Sequence, residues 1–355
     1  METTLWQVDA VTPDRDTIDA AARIIKNGGL VAFPTETVYG LGANGLDGRA
    51  VSKIFEAKQR PADNPLILHI ANKKEVFYLA QVVPLLAQVL IDAFWPGPLT
   101  LVLPKRNIIP AEITAGLDTV AIRMPKHQVA LALIRQAGVP IAAPSANRSG
   151  YTSPTSAGHV LDDLNGRIEA ILDGGSTGLG LESTVLDVSG PVPEILRPGS
   201  ITKEQIEELV GPILLDPGLS SATQAPKAPG LKYNHYAPHA EVVLIDGESD
   251  NVVRRAVEMV CGYALAGLKT GLLLTDETWD KVEKDHQAAG IQVAYAGRIG
   301  SRRELNKIAR LIYSELRECD KAGVDIILTE TYEDVGLGSA LMNRLLKSAG
   351  YKIIK

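Results

Sequence analysis

Short apolar runs separated by polar turns fill the first part of the chain. Their spacing predicts helices at 13–27, 50–57, 129–136 and 156–161, and a mostly helical stretch over 75–94 that Pro84 interrupts. Short strands are predicted at 29–33, 66–70, 99–103, 120–123, 141–143, 170–172, 183–188 and 195–197. Because these elements alternate without a regular βαβ repeat, we expect an α/β domain on a twisted sheet of mixed direction.

The pattern changes twice after residue 210. Residues 211–240 hold five prolines and three glycines with little apolar periodicity, which predicts an inter-domain linker that contains an unusual polar and aromatic cluster, KYNHY. Beyond it, strands at 241–246, 271–275, 292–297 and 324–330 alternate with helices at 252–268, 302–317 and 339–349. We therefore expect two α/β domains, 1–210 and a smaller three-layer domain at 241–355, joined by a linker or lid at 211–240.

Composition narrows the class of protein. The 355 residues are 45% hydrophobic and 22% charged, with a formal net charge of −6, which indicates a globular two-domain chain and disfavours a broad electrostatic grip on nucleic acid. Cys261 and Cys319 are the two cysteines, so a disulfide framework is excluded and a cytoplasmic setting fits. We read no signal peptide and no apolar run near the ~20 residues of a membrane span.

Three weaker patterns are interpreted as incidental. Gly40–Gly45 matches the dinucleotide fingerprint GxGxxG, but six residues separate it from the preceding strand, so NAD is rejected and the glycines are interpreted as turn formers near a ligand. His235 and His239 lie four apart with Pro238 between them, so no metal site is expected. A basic stripe on the predicted helix at 302–317 is interpreted as a solvated face rather than an RNA contact.

Polar loops beside the short strands carry the candidate chemistry. Lys58 and Arg60 end a helix ahead of Asn64-Pro65 and a buried strand with His69, where fixed cations can hold a triphosphate; stabilisation of the helix end is the ordinary alternative. The loop APSANRSG at 143–150 offers hydroxyl, amide and backbone donors for an anion, or is simply a capped turn. Because no GxSxG elbow or Cys–His pairing is evident, we expect catalysis by positioning and electrostatics.

Taken together, PTETVYGLGA, Lys58 and Arg60 with Asn64-Pro65-Leu66, PSANRSG, EST and LRPGS closely resemble the threonylcarbamoyl-AMP synthase family, the YrdC-type proteins, from about Leu30 to Thr202. KYNHYAPHA and the residues after it resemble the long form of that family. The resemblance implies an α/β fold with an N-terminal twisted mixed-sheet YrdC-type domain and a smaller C-terminal three-layer Rossmann-like domain.

The resemblance also implies a reaction. L-threonine, bicarbonate and ATP, with Mg²⁺ accompanying the ATP, would give threonylcarbamoyl-AMP and pyrophosphate for threonylcarbamoyl-adenosine modification of tRNA next to the anticodon. The implied partners are the downstream tRNA threonylcarbamoyl transfer machinery and tRNA itself, and no membrane. The alternatives are a double-stranded RNA-binding module, which the acidic charge disfavours, and carbamoyl transfer in metal-cofactor maturation, which would call for zinc-finger-like cysteines.

By the same resemblance, Lys58 and Arg60 would stabilise charge during catalysis. Threonine would be held by Thr35, Tyr39, His69, Arg123, the backbone of Ala143, and Ser183. Arg123 suits the amino acid's carboxylate, because a guanidinium can bind both oxygens. ATP would be contacted by Lys58, Arg60, Asn64, Thr119, Ser145, Asn147, Arg197, Tyr233 and His235, with the two linker residues acting as a lid.

Overall fold

The computed structural model describes residues 2–219, 237–289 and 293–355, with the side chains of 283–289 left out. These residues form two compact units. The first comprises 2–149 and 153–219, and the second comprises 150–152 with the described residues from 237 onward. The predicted boundaries of the domains and linker stay predictions.

The first unit combines helices with an eleven-stranded sheet. Its helices are α1 (Arg15–Lys26), α2 (Gly48–Lys58), α3 (Val76–Leu79), α4 (Leu85–Phe94), α5 (Ala111–Thr114), α6 (Gln128–Ala137), α7 (Ala157–Leu164) and α8 (Lys203–Val210), with 3-10 turns at Lys73–Glu75 and Pro217–Leu219. Its strands are β1 (Thr4–Gln7), β2 (Val31–Phe33), β3 (Gly40–Asn44), β4 (Ile67–His69), β5 (Leu99–Pro104), β6 (Thr119–Arg123), β7 (Ile141–Ala142), β8 (Ala170–Asp173), β9 (Thr184–Asp187), β10 (Glu194–Arg197) and β11 (Leu214–Leu215).

The large sheet has mixed direction, as the sequence predicts. Its order is β1-β8-β2-β3-β7-β4-β6-β5-β9-β10-β11. The pairs β1–β8, β8–β2, β4–β6, β5–β9 and β10–β11 are parallel, whereas β2–β3, β3–β7, β7–β4, β6–β5 and β9–β10 are antiparallel. The central strands β2, β4 and β7 are buried throughout, so their ends are fixed by the core.

Local sequence explains where two helices of the first unit, α1 and α2, begin and end. Asp14 caps α1 by accepting a hydrogen bond from the Thr17 backbone N–H, and the helix buries the apolar face predicted from its periodicity. Asp47 caps α2 in the same way. After Lys58, Gln59 adopts a left-handed conformation with φ 53°, so α2 ends abruptly and the chain turns back toward β4.

Gly40 and Gly42 lie in strand β3, so the interpretation of these two residues as turn formers is wrong, whereas Gly45 lies in the turn that follows β3, as predicted. In β3, Gly42 lies against its neighbours so tightly that a Cβ there would be 2.8 Å from the Phe33 ring and 2.9 Å from Ile141. Without side chains, the period-two signal of a strand is missing from the sequence. The glycines therefore serve close packing of β3 between β2 and β7.

The second unit has a five-stranded parallel sheet in the order β14-β13-β15-β12-β16. Its strands are β12 (Glu241–Ile245), β13 (Thr270–Leu274), β14 (Tyr295–Arg298), β15 (Ile326–Glu330) and β16 (Ile353–Ile354). Its helices are α9 (Ser249–Leu265), α10 (Asp276–Ala289), α11 (Leu305–Lys321) and α12 (Leu337–Ser348). Helix α9 packs with α10, α11 packs with α12, and both α9 and α12 contact strand β12. This parallel sheet with two helix pairs packed on it confirms the prediction of a Rossmann-like, three-layer domain. Across the ranges described in both units, no helix is long and apolar enough to span a bilayer.

Candidate active site

Three loops of the first unit meet beside the centre of the large sheet. The backbone N–H of Ala146, after β7, donates to the Tyr39 carbonyl at 2.8 Å, and the Leu41 N–H donates to Pro144 at 2.8 Å. The backbone N–H of Gly180 donates to the Thr37 carbonyl at 3.1 Å. Backbone hydrogen bonds thus join the Pro-Thr-Glu-Thr turn to both the PSANRSG loop and the loop before β9.

Lys58 is a buried cation enclosed by oxygen atoms. It is 1% exposed, and its Nζ donates to the carbonyl oxygen of Ser145 at 2.6 Å, to that of Asn147, and to Asn147 Oδ1 at 3.5 Å. In return, the Ser149 N–H donates to the Lys58 carbonyl at 2.8 Å. Since a buried charge is costly without such partners, the end of α2 and the PSANRSG loop hold each other in place.

Ser145 and Asn147 form the polar side of this loop. The Ser145 hydroxyl donates to Asn147 Oδ1 at 2.5 Å, and Asn147 Nδ2 donates to the Arg148 carbonyl at 2.8 Å. Asn147 is 4% exposed, so its orientation is fixed by packing as well as by these bonds. Two of the residues predicted to contact the nucleotide, Ser145 and Asn147, therefore contact each other through their side chains, and both contact Lys58.

Arg60, Asn64 and Thr119 lie at the amino end of β4 and its neighbour. Arg60 Nη2 donates to the carbonyls of Asn64 and Pro65, each at 3.3 Å, and Asn64 is fully buried. Thr119 is half-buried and begins β6, which runs parallel to β4 with Ile67 paired to Ala121. This register brings Thr119 to the same end of the sheet as Asn64.

Arg123 is the second buried cation, and it contacts the Pro-Thr-Glu-Thr turn. Its Nη2 lies 2.8 Å from Glu36 Oε1 and donates to Thr37 Oγ1 at 3.0 Å, while its Nε donates to the Gly97 carbonyl at 3.3 Å. The guanidinium is only 5% exposed. A fixed arginine of this kind suits a carboxylate.

His69 is the neighbour of Arg123 on the adjacent strand, because β4 and β6 pair His69 with Arg123. Burial, and then the positive charge of Arg123, lower the pKa of His69 from the ordinary 6.5 to about 3. The imidazole is therefore neutral near pH 7. Its Nδ1 lies 3.3 Å from the Ile67 carbonyl, and its ring meets Phe33 edge to face.

Thr35 and Tyr39 bracket the Pro-Thr-Glu-Thr turn. The Thr35 hydroxyl donates to the Val38 carbonyl at 2.7 Å and lies 2.8 Å from Thr37 Oγ1, which stabilises the turn. The Tyr39 hydroxyl donates to the Gly175 carbonyl at 2.7 Å, and burial raises its pKa far above the usual range. Ala143 is buried, and its N–H donates to the Ile67 carbonyl at 3.0 Å.

Ser183 and Arg197 form a third contact group. Arg197 Nε donates to the Ser183 carbonyl at 3.0 Å and its Nη2 to Ser183 Oγ at 3.1 Å; Ser183 Oγ also lies 2.8 Å from Thr100 Oγ1. The strand after Ser183 runs parallel to β5, and the Thr184 N–H donates to the Pro98 carbonyl at 3.0 Å. This group therefore adjoins Gly97, the carbonyl that Arg123 also contacts.

Two predicted residues and two unpredicted ones complete the comparison with the sequence. Tyr233 and His235 lie outside the described residues. Glu36 and Thr37 were not singled out, yet both contact Arg123 directly. The available signal was a carboxylate flanked by two threonines just after a buried strand.

The fold and these loops define a two-domain α/β protein with a polar site beside its large mixed sheet. Comparison with known sequences identifies the family. Residues 23–199 match the Sua5_yciO_yrdC family, described as "Telomere recombination", and residues 201–350 match "Threonylcarbamoyl-AMP synthase, C-terminal domain". The chain belongs to this family, in the two-domain form that carries both parts. The motif-based prediction of the family is thereby confirmed.

Relatives of known name match almost the whole chain. Threonylcarbamoyl-AMP synthase of Pyrococcus abyssi is 50% identical over 95% of this chain and 95% of its own. The Bacillus subtilis protein of the same name is 48% identical over 100% of both chains. The crystal structure of P. abyssi Sua5 complexed with L-threonine aligns with a TM-score of 0.92 and 47% identity, covering 99% of each chain.

Proposed function

We propose that this protein makes threonylcarbamoyl-AMP and pyrophosphate from L-threonine, bicarbonate and ATP. The observation that carries the proposal is the pair of buried cations, Lys58 and Arg123, fixed by neighbouring loops of one domain. Lys58 suits a phosphate chain, and Arg123 suits an amino-acid carboxylate. The names of the full-length relatives and the threonine complex of the Pyrococcus protein support the same reaction.

The residues around Arg123 are assigned to threonine. Arg123 receives the carboxylate, while Thr35, Tyr39, the backbone of Ala143 and neutral His69 complete the binding site. Ser183 supplies a hydroxyl from the loop before β9, next to Thr184, whose N–H donates to the Pro98 carbonyl. A neutral imidazole suits this setting, because a charged one beside Arg123 would be repelled.

The residues around Lys58 are assigned to ATP. Lys58 and Arg60 stabilise the negative charge that grows on phosphate when the adenylate forms, and Arg197 adds a third cation. Polar contacts to the nucleotide come from Asn64, Thr119, Ser145 and Asn147. From the linker, Tyr233 and His235 close over the bound substrates and limit hydrolysis of the labile intermediate.

The chemical sequence needs no covalent enzyme intermediate. The threonine amine attacks the bicarbonate carbon, and water leaves to give a carbamate. A carbamate oxygen then attacks the α-phosphate, and pyrophosphate leaves. The enzyme's part is to hold the three substrates together and to offset charge, which positioned cations can do at little reorganisation cost.

Mg²⁺ fits this site as a companion of ATP. Within the ranges that the structure describes, no group of three or more His, Cys, Asp and Glu side chains could hold a metal ion. The assigned nucleotide contacts are cations, amides and hydroxyls, which suit a triphosphate whose own oxygens and waters coordinate Mg²⁺. When bound, the ion would offset charge on the departing pyrophosphate.

The product would serve tRNA modification. We expect a downstream threonylcarbamoyl transfer machinery to take over the adenylate in the cytoplasm, and a direct tRNA contact belongs to the same proposal. The double-stranded RNA-binding alternative gains no support from the synthase names of the relatives.

Pyrophosphate release from ATP tests the proposal. Purified protein with Mg²⁺ should release pyrophosphate only when both L-threonine and bicarbonate are present. Omission of either one, in bicarbonate-depleted buffer for the second, is the control. Equal turnover with serine, or with no amino acid, would show that the substrate assignment is wrong.

A further inference from the structure

Thr37 is a fully buried residue whose side chain contacts Arg123. It is 0% exposed, and its Oγ1 accepts a hydrogen bond from Arg123 Nη2 at 3.0 Å. A guanidinium has donors and no acceptor, so the oxygen of Thr37 must be the acceptor in this contact. The hydroxyl proton of Thr37 is therefore donated to a different oxygen.

The acceptor of that proton is Thr35. Thr35 Oγ1 lies 2.8 Å from Thr37 Oγ1 and donates its own proton to the Val38 carbonyl at 2.7 Å. Because Thr35 has only one hydroxyl proton, Thr37 is the donor between the two threonines. The hydrogen bonds thus run in one direction, from Arg123 through Thr37 and Thr35 to the Val38 carbonyl. The Pro-Thr-Glu-Thr turn therefore fixes the acceptor that Arg123 uses.

The other contacts of Arg123 define its orientation less well. Its Nε donates to the Gly97 carbonyl at the longer distance of 3.3 Å. Glu36 Oε1 lies 2.8 Å from Nη2, but neither carboxylate oxygen receives an aligned hydrogen bond from any residue that the structure describes. The ion pair therefore attracts the guanidinium without orienting it, and the hydrogen bond to Thr37 supplies the direction.

Loss of the Thr37 hydroxyl would change the balance at Arg123. The two oxygens of Glu36 have unused acceptor capacity among the described residues, and a guanidinium can donate to both oxygens of one carboxylate. With the competing acceptor removed, Arg123 would turn toward Glu36 and form a bidentate pair. A guanidinium engaged in this way has fewer N–H groups left for the carboxylate of an amino acid.

We propose that Thr37 is a positioning residue for the amino-acid site: its hydroxyl holds the Arg123 guanidinium in the orientation that receives the substrate carboxylate and keeps it from closing onto Glu36. This inference rests on the proposed function, in which Arg123 binds the carboxylate of threonine. It adds a residue that acts through Arg123 and does not touch the substrate. Thr37 would thus set the affinity for threonine and leave ATP binding and the chemical step unchanged.

The test measures pyrophosphate release from the full chain while threonine and ATP are varied in turn. In Thr37→Val, which removes the hydroxyl and keeps the shape, we expect the KM for threonine to rise by about tenfold, the usual effect of losing a hydrogen bond to a charged group. The KM for ATP and kcat should stay within about twofold. Thr37→Ser keeps the hydroxyl and should restore the natural KM for threonine.

Thr329→Val is the matched control. Thr329 is also 0% exposed, and its Oγ1 makes no hydrogen bond to any residue that the structure describes, so the same substitution there should change neither KM. Thermal unfolding of every variant is measured alongside. The comparison of the two Thr→Val variants separates the hydroxyl that contacts Arg123 from the general effect of a buried hydroxyl.

Three results in Thr37→Val would overturn the inference and leave the proposed function standing. They are an unchanged KM for threonine, an equal rise in both KM values, and a Thr37→Ser variant that behaves like the valine one. Failure of the natural protein to turn over threonine would overturn both. If Thr37→Val does not fold, Thr37→Ala and Thr37→Ser decide by the same criterion, because they differ from each other by one hydroxyl.

Discussion

The ammonium nitrogen of Lys58 lies 2.6 Å from the carbonyl oxygen of Ser145, so the end of α2 is tied to the loop after β7. These two segments are 87 residues apart in sequence. The cation thus has a fixed location before any nucleotide arrives. Catalysis by electrostatic stabilisation benefits from this arrangement, because no charge has to move during the reaction.

Replacement of Lys58 by alanine should remove most activity. We expect pyrophosphate release to fall by about 10²–10³-fold, since one fixed charge on a developing anion contributes on that scale. The matched control is Lys53→Ala on the exposed side of the same helix, where Nζ donates only to the Gly28 carbonyl among the described residues. Thermal unfolding separates lost chemistry from lost folding. Wild-type turnover in the folded Lys58→Ala protein would show that Lys58 does not bind the phosphate chain.

Arg123→Lys should weaken threonine binding while ATP binding is retained. A lysine keeps the charge but cannot present two parallel N–H groups, so we expect a loss of about 10–100-fold in threonine affinity. Titration with each substrate separately measures this. Arg106→Lys is the control, because the Arg106 side chain donates hydrogen bonds to the backbone carbonyls of Phe77 and Ala80, neither of which is an assigned site residue. A similar loss of ATP affinity would argue against the assignment.

His69 should make the fold sensitive to acid. Its folded-state pKa of about 3 lies below the ordinary 6.5, so the unfolded chain binds the extra proton and stability falls as pH drops through this window. One such group contributes a slope of up to ~1.4 kcal/mol per pH unit. His69→Gln should flatten the pH dependence of urea unfolding between pH 6.5 and 3. His127 acts in the same direction and would remain in the variant.

Gly45→Ala should destabilise the first unit. A Cβ at this position would lie 2.5 Å from Leu68 Cδ2 and 2.8 Å from the Pro140 carbonyl oxygen. Overpacking of this kind costs ~1–3 kcal/mol. Chemical denaturation should show the loss, and Gly190→Ala, where no atom lies within 4 Å, should be neutral. Equal stability of the two variants would mean that β7 shifts to accommodate the added Cβ without loss of unfolding free energy.

Tyr233→Ala tests the lid assignment of the linker. We expect slower pyrophosphate release, because a lid would keep water away from the bound substrates, and thermal unfolding is measured in parallel. Hydrolysis of the adenylate should increase in the variant, and chromatography of the products measures it. Tyr78→Ala, at a surface position 58% exposed, is the control. Identical kinetics and product yield would reduce Tyr233 to part of a tether.

The spacing of apolar residues predicted the helices and strands in which such spacing is present. The face of α1 with Ile18, Ala21 and Ile25 was read directly from the sequence and is buried. By contrast, α10 was not predicted, since its residues Asp276–Ala289 are mostly polar and show no clear apolar face. Strand β3 was misread because its glycines carry no side-chain signal. The sequence pattern therefore identified amphipathic elements and missed α10 and β3, whose residues show no clear apolar pattern.

The candidate site shows the same division. The sequence motifs and the family resemblance predicted Lys58, Arg123 and Ser183 as site residues, and each contacts one of the polar loops of the first unit or lies in one. Burial of Lys58 could not be inferred, because its enclosure depends on carbonyls from a distant loop. Glu36 was overlooked for a similar reason. Its importance arises from the ion pair with Arg123, a contact between residues 87 positions apart that no local pattern encodes.

The pairing of β11 with β10 has a consequence for anyone shortening the chain. The Leu214 and Asp216 N–H groups donate to the carbonyls of Pro193 and Ile195, so residues 214–216 cover the outer border of β10. A protein that stops at Val210 would leave that border open, and open strand borders recruit other chains. Truncations that end after Leu219 should stay monodisperse where shorter ones aggregate.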